Sequence, residues 1–274
     1  MLKFRLIKPH TRHKNYYLKR YLEIMTTAIP MVKWKPGGGR VYMDPFAGPG
    51  MCLVEGTDEQ VLGSPLIALR TRGPFDRYYF GDLSDDNIQT LQIRISDEER
   101  SDLVVDYRTG RADESLEIWM SHEGPLVLFV VYLDPEGLEV PWRTMELLAS
   151  MKHIDVILTL WDSAVTRNYE RFRDRETSSF DDWFGSNAWK VVAKEKPTSK
   201  AASHAIMEAY VGNLRQLGFF VDLKDAPRIT VSEMGVPLYW FLFMSKEKKA
   251  VELWHKARVI DHLGQRSMFD PGGS

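Results

Sequence analysis

Three short segments carry most of the residues whose types and spacing suit chemistry. Val41-Tyr42-Met43-Asp44-Pro45-Phe46-Ala47-Gly48-Pro49-Gly50 sets a carboxylate at the end of an apolar run, followed by two glycines one residue apart. Gly48 and Gly50 let a backbone approach a ligand closely, and a helix starting beyond them would present free N–H groups. Asp44 suits a cationic or hydroxyl group. The pattern points to a nucleotide-type ligand held by Asp44, Phe46, Ala47, Gly48 and Gly50; the alternative is a tight turn with no ligand. Asp82, with Leu83 after it, closes a second apolar run, where a carboxylate accepts hydrogen bonds from ribose hydroxyls. It lies beyond the usual ~20 residues from the glycines, because Met51–Arg72 exceeds a minimal helix and its loops. The third segment is Leu133-Asp134-Pro135-Glu136-Gly137. Asp134 can orient an amino group or accept its proton, and Pro135 fixes the turn. Glu136 is either a second acid/base group or simply exposed.

Weaker candidates surround these. Asp113, in Gly110-Arg111-Ala112-Asp113, is an adenine contact or a helix cap. Thr159, Trp161 and Asp162 follow another apolar run, and Arg167 suits an anionic substrate. Asp85 and Asp86 read as first-turn residues that complement a helix dipole. Cys52 reads as a packing residue, since no histidine lies near it in sequence. The seven histidines show no metal-ligand spacing, so no metal is expected.

The elements that must position these groups read as an α/β chain. Apolar, strand-like runs occur at Arg40–Asp44, Arg77–Asp82, Asp102–Tyr107, Leu126–Leu133 and Ile154–Leu160, with helical stretches at Pro65–Thr71, Asp85–Arg94 and Trp142–Lys152 between them. Continuous apolar strands alternating with helices indicate a parallel sheet covered on both faces. His13–Ile29 is an N-terminal helix by its Tyr17, Leu18, Tyr21, Leu22 and Met25 spacing, ended by Pro30 and Pro36-Gly37-Gly38-Gly39. After a helix around Ala202–Leu217 come strand-like Phe219–Leu223 and Leu238–Met244. Their connection carries Pro227, Gly235 and Pro237 and leaves little room for a crossover helix, so an antiparallel last strand is expected. The expected fold is a three-layer αβα Rossmann-like sheet of about seven strands in one domain over 1–274. Residues 168–200 form an insertion after the fifth strand, polar but interrupted by Phe172, Phe180, Trp183, Phe184 and Trp189. Substrate-facing loops of such folds occur there.

Composition narrows the class. With 274 residues, 44% hydrophobic and 27% charged, disordered, collagenous and coiled-coil chains are excluded. One cysteine excludes a disulfide framework and a multi-thiolate zinc site. The longest apolar runs are about 8 residues, against the ~20 needed to span a bilayer. The Met-Leu-Lys-Phe-Arg start shows no secretory h-region, so a soluble, cytoplasmic protein with no membrane partner is expected. Net charge is −2, but residues 1–20 hold Lys3, Arg5, Lys8, Arg12, Lys14, Lys19 and Arg20 and no acid. His10 and His13 flank Arg12. Such an arm attracts phosphate backbones or is merely solvated.

Taken together, these motifs resemble the three-Cys-motif partner (TcmP) family over nearly the whole chain. The shared blocks are Lys14…Tyr21, Asp44–Gly50 followed by Gly63-Ser64-Pro65-Leu66-Ile67-Ala68-Leu69, Leu133-Asp134-Pro135, Trp183-Phe184-Gly185…Trp189 and Tyr239–Ser245. The resemblance implies a class I S-adenosylmethionine (SAM) methyltransferase-like fold, which also has this strand count, with SAM as cofactor. The Asp44–Gly50 loop would then cradle the methionine part, Asp82 the ribose, and Asp134 would sit beside the transferred methyl. The family commonly has Gly where Pro45 stands, Asp where Arg111 stands and Asp-Pro-Phe-Gly around Glu136. Asp44-Pro45-Phe46-Ala47-Gly48 also resembles the SAM motif of DNA amino-methyltransferases, whose second motif, (Asp/Asn)-Pro-Pro-(Tyr/Phe), stacks an aromatic on a flipped base. Asp134-Pro135-Glu136-Gly137 lacks that aromatic, leaving Trp142 or Trp161 to supply it. The resemblance implies a SAM-dependent methyltransferase and leaves the acceptor unidentified; the basic arm and the aromatic insertion suggest a nucleic acid base, and the alternative is a catalytically inactive methyltransferase-like binding module that acts with a partner protein.

Overall fold

The computed structural model describes residues 2–9, 11–28, 38–98, 102–231 and 236–259. In chain order these form β1 (Arg5–Ile7), α1 (Thr11–Ala28), β2 (Gly39–Asp44), β3 (Met51–Val54), β4 (Gln60–Leu62), α2 (Ser64–Leu69), β5 (Arg77–Asp82) and α3 (Asp85–Ser96). Next come β6 (Val105–Thr109), α4 (Ala112–Ser121), β7 (Val127–Leu133), α5 (Trp142–Ser150), β8 (Ile154–Trp161), α6 (Asp162–Phe172), α7 (Ser179–Phe184) and α8 (Trp189–Ala193). The chain continues through α9 (Ser199–Gln216), β9 (Arg228–Val231), β10 (Val236–Ser245) and α10 (Lys248–Arg258).

One sheet has the order β6-β5-β2-β7-β8-β10-β9. β6, β5, β2 and β7 run parallel to one another, while β10 is antiparallel to both β8 and β9. This is the seven-stranded Rossmann-like sheet of a class I methyltransferase-like fold, with the expected antiparallel last strand. The chain divides into two compact units, one made of residues through Tyr132 with those from Lys248 onward, the other of Leu133–Glu247.

In the first unit, β2 is buried at every position, as its continuous apolar run requires. Tyr17, Leu18, Tyr21, Leu22 and Met25 form the buried stripe of α1. Tyr17 and Tyr21 meet Trp254 of α10 at centroid distances of 6.4 and 5.9 Å. Arg40 is buried at the start of β2, where its guanidinium donates to the Pro74 and Thr26 carbonyls. A second, small sheet, β1-β3-β4, lies outside the expected plan. In it the basic arm is ordered: β1 pairs in parallel with β3. Lys3 pairs with Asp86 at 2.5 Å, Arg12 with Glu59 at 2.5 Å, and Lys8 with Glu55.

The second unit corrects two expectations. Phe219–Leu223 is not a strand. Phe220 makes a single bridge to Ser245, and the Asp222 side chain accepts from Lys224 N–H and turns the chain into a one-turn 3-10 helix. The sixth strand of the sheet's sequence is β9. The alternation that mimics a strand is real, because Phe219, Val221 and Leu223 are each buried. The 168–200 segment is largely helical rather than a loop, with Phe172, Phe180, Trp183, Phe184 and Trp189 all buried. Trp183 stacks on Tyr210 of α9 at 4.5 Å and 4°, and Phe180 on Trp183 at 5.2 Å. Burial of these rings removes them as an exposed stacking surface. Asp181 holds the segment together, accepting from Ser178 N–H at 2.7 Å and from the Trp189 indole N–H at 2.6 Å.

The expected helix terminators Pro30, Pro36 and Gly37, the arm residue His10 and the hairpin residue Gly235 lie outside the described residues. No helix among the described residues is long and apolar enough to cross a membrane.

The two donors gathered by Asp181 set a stability prediction. Asp181→Ala leaves both unsatisfied, at about 1–3 kcal/mol for each group that stays buried. Urea unfolding will show a midpoint lowered accordingly; an unchanged midpoint would mean that solvent replaces the carboxylate at no cost.

Candidate functional site

The first unit gathers eight of the expected site residues. Asp44, fully buried, ends β2, and its Oδ1 accepts from Phe46 N–H at 3.1 Å in a tight side-chain turn. Asp44 pairs across the sheet with Phe80, so the loop that follows passes beside the end of β5. There Ala47 N–H donates to the Gly81 carbonyl at 2.8 Å and Gly48 N–H to Asp82 Oδ2 at 3.0 Å. Gly48 and Gly50 both have positive φ, 59° and 83°, a region unfavourable to residues with a Cβ. They differ in surroundings. A Cβ on Gly50 would lie 2.7 Å from Leu91 Cδ1, whereas one on Gly48 would meet nothing closer than Arg5 Cδ at 3.8 Å.

No helix follows Gly50. The chain enters β3, returns through β4, and Gly63 N–H donates back to the Gly50 carbonyl at 2.8 Å. The expected helix N-terminus is therefore replaced by a β-hairpin, and α2 begins only at Ser64. Cys52 and Val54 alternate inward in β3, against Ile7, in the small core of that sheet, so the post-glycine residues follow a strand period rather than a helical one.

Asp82 does more than end a strand. Its Oδ1 accepts from Ser84 N–H at 2.8 Å and Asn87 Nδ2 at 3.1 Å, while Oδ2 takes Gly48 N–H. A carboxylate offers about four acceptor sites. Three are used, which leaves one on Oδ2 for a ligand hydroxyl. Leu83 is 74% exposed beside it, an apolar side chain presented outward. Ser84 caps α3, and Asp85 and Asp86 fill its first turn, as the sequence indicates.

Asp113 sits in the first turn of α4 and is buried. Arg111 forks onto it at 3.0 and 3.2 Å. Arg111 thus binds the neighbouring acid, and the helix cap itself is the backbone at Arg111, with no side-chain cap.

Two residues that pattern alone misses complete this unit's site. Arg94, 8% exposed, donates to the Pro49 carbonyl from the far side of the loop, and burial lowers its pKa. Asn87 buttresses Asp82. Arg94 has a sequence signal, a lone charge on the Ile88-Leu91-Ile95 face of α3; Asn87 has none beyond its place three residues after a serine cap.

In the second unit, Asp134 is 6% exposed and accepts from Thr159 Oγ1 at 2.7 Å. Tyr239 is fully buried, and burial, then the Asp134 carboxylate, push its phenol well above the ordinary tyrosine range. The Trp161 indole N–H donates to the Pro135 carbonyl at 2.6 Å, and its ring meets Tyr239 at 5.1 Å. Glu136 is exposed. Asp162 is paired with Arg228 at 2.6 Å, and Trp142 packs edge-on against Tyr210 at 5.4 Å. Trp161 is half-buried; Arg167 is exposed on α6.

Neither family models nor curated proteins match the chain. Among solved structures, it is similar to a Legionella pneumophila protein (TM-score 0.49, 12% identity, covering 89% of this chain and 88% of that one). It is also similar to a Bacillus cereus O-methyltransferase in complex with S-adenosylhomocysteine (0.47, 14%, 84% and 80%). A third is the Synechocystis PCC 6803 magnesium protoporphyrin IX methyltransferase with the same ligand bound (0.41, 11%, 88% and 88%). The fold assignment itself follows from the order and direction of the strands.

The two glycines should respond differently to a methyl group. Gly48→Ala meets only the left-handed backbone cost of about 1–2 kcal/mol, while Gly50→Ala adds an overpacking cost of about 1–3 kcal/mol. Chemical denaturation that found equal losses would contradict the packing of Leu91 over Gly50.

Proposed function

We propose that this protein is a SAM-dependent methyltransferase. The observation that carries the reading is the Gly48 N–H bond to Asp82 at the ends of the neighbouring parallel strands β2 and β5. It fixes an open, glycine-lined backbone next to a carboxylate with one acceptor site left. These residues fit the cofactor: Gly48 offers a stretch of backbone with no side chain and open space beside it, Asp44 suits an ammonium, Asp82 suits one ribose hydroxyl, and exposed Leu83 suits an apolar ring face. Asp113, held by Arg111, is the weakest of the cofactor candidates. When bound, SAM supplies an electrophilic methyl group.

Asp134 is the proposed acceptor-orienting group. Its hydrogen bond from Thr159 sets one carboxylate oxygen and restricts the direction of the other, which favours alignment of an acceptor over free movement. Glu136, being exposed, is a weaker acid/base candidate. A nucleic acid base as acceptor rests on the arm. Its ion pairs are solvent-exposed, worth about 0–1 kcal/mol each, so phosphates can replace their carboxylates at little cost. That reading requires a steep salt dependence of binding.

A second reading, a methyltransferase-like binding module working with a protein partner, is favoured by one observation. Asp134, the Pro135 carbonyl and Asp162 all have partners within the chain, so the second unit is complete without an acceptor.

Calorimetric titration with SAM and S-adenosylhomocysteine tests the proposal. Binding in the micromolar range is expected, weakened about ten- to a hundred-fold by Asp82→Ala, the value of hydrogen bonds to a charged group. Binding of neither ligand would sink the methyltransferase reading in favour of the module.

A further inference from the structure

We propose that α6 and the turn after it bind the phosphate backbone of a nucleic acid through Arg167, Arg171 and Arg175; this rests on the reading that the acceptor is a nucleic acid base. The aromatic rings of this segment are buried, so what it turns outward is charge. The three arginines recur at four-residue spacing, which sets Arg167 and Arg171 on one face of α6, about 6 Å apart along its axis. Arg175 follows where the chain keeps turning beyond the helix. Arg173 N–H donates to the Tyr169 carbonyl at 2.9 Å, and Arg175 N–H to the Phe172 carbonyl at 3.0 Å. All three arginines are exposed.

Arg171 and Arg175 converge on a single ring. Their guanidinium carbons lie 5.1 and 5.3 Å from the centroid of Phe172, which is itself buried. The ring attracts each cation, while the two like charges gathered on it repel, and a bridging anion relieves that repulsion. The neighbouring acids do not supply one. Asp174 lies on Arg173 at 3.4 Å. Among the described residues Glu170 and Glu176 form no ion pair, nor do Arg167, Arg171 and Arg175. A further cation fixes the turn: Lys190 of α8 donates to the Arg175 and Glu176 carbonyls, so Arg175 is presented from an ordered backbone.

A cation at a helix C-terminus has an ordinary role, since it offsets the partial negative charge there, but the effect falls off within the last turn. That accounts for Arg171 alone. Arg167 stands a turn earlier, and the Arg175 guanidinium lies on the Phe172 ring rather than on a helix carbonyl. Guanidinium forks suit phosphate oxygens. The placement also suits the acceptor reading, because α6 starts directly after β8, whose Thr159 donates to Asp134. At 1.5 Å per residue, Arg167 and Arg171 lie about 8 and 14 Å along the helix from Asp162, a span of a few nucleotides.

Fluorescence anisotropy with labelled oligo(U) and oligo(dT), titrated over a range of salt, tests this on the full chain. The triple variant Arg167→Gln, Arg171→Gln, Arg175→Gln should bind both probes about ten-fold or more weakly at low salt, with a log–log salt slope smaller by about 2, the value of three phosphate contacts on a single strand. Equal losses on the two probes identify the phosphate, the group they share; loss on one probe alone would assign the arginines to sugar or base and overturn the proposal. Arg167→Gln, whose side chain touches no ring, should lower the slope by about 0.7, and it decides the matter alone if the changes over Phe172 prevent folding. Arg173→Gln, whose native partner is Asp174, should leave affinity and slope unchanged. An unaltered triple variant would leave the arm as the phosphate contact and overturn the proposal, as would an equal loss in Arg173→Gln and Arg167→Gln. Failure of the wild-type protein to bind either probe would remove the nucleic acid reading itself, and the proposal with it, while the calorimetric titration with SAM would still decide the cofactor.

Discussion

A loop with positive φ at two glycines has no side chains at those positions to pack, so its order must come from the groups around it. Here the decisive contact is Gly48 N–H to the Asp82 carboxylate. It depends on register: Asp44 pairs with Phe80, which brings the loop alongside Gly81 and Asp82. A slip of one residue between β2 and β5 would turn Asp82 to the other face and take both it and the Gly81 carbonyl out of register with the loop. The aromatic packing of Tyr42 with Phe80 at 6.2 Å and Tyr78 at 6.5 Å holds that register. Core packing thereby sets the geometry of a polar site several residues away.

The same carboxylate is shared. Asp82 caps the segment entering α3 through Ser84 and Asn87, and fixes the loop through Gly48. A group with three internal donors is rigid, which favours recognition by lowering the entropy lost on binding, and it can give only one further bond. Asp82 therefore positions both the glycine loop and the start of α3.

Much of this was legible in the residues. Continuous apolar runs located β2, β5, β7, β8 and β10, because strands buried on both faces have no polar face to confuse the pattern. Asp44, Asp82 and Asp134 were found at strand ends, since the carboxylate interrupts the run there. What failed had physical causes. Val54 and Cys52 face a local core that only the pairing of β1 and β3 creates, so the hairpin after Gly50 has no signal within its own segment. Phe219–Leu223 alternates like a strand because it is buried like one, but Asp222 diverts its backbone bonds into a turn. The aromatics after β8 read as a surface, yet Trp183, Phe180 and Trp189 are core, closed over Tyr210 and secured by Asp181. Composition cannot separate a buried ring from an exposed one when helical faces are short and charges intervene.

The second unit shows how far internal satisfaction constrains any acceptor chemistry. β8 contributes both Thr159, which donates to Asp134, and Trp161, which donates to the Pro135 carbonyl. The polar groups of the Asp134-Pro135 turn are thus set by one neighbouring strand, with Tyr239 buried beside them. A group that used the Pro135 carbonyl would have to displace an indole N–H at 2.6 Å, and Asp134 is already engaged by Thr159. Trp161 meets the turn by its indole edge, and Glu136 stays exposed.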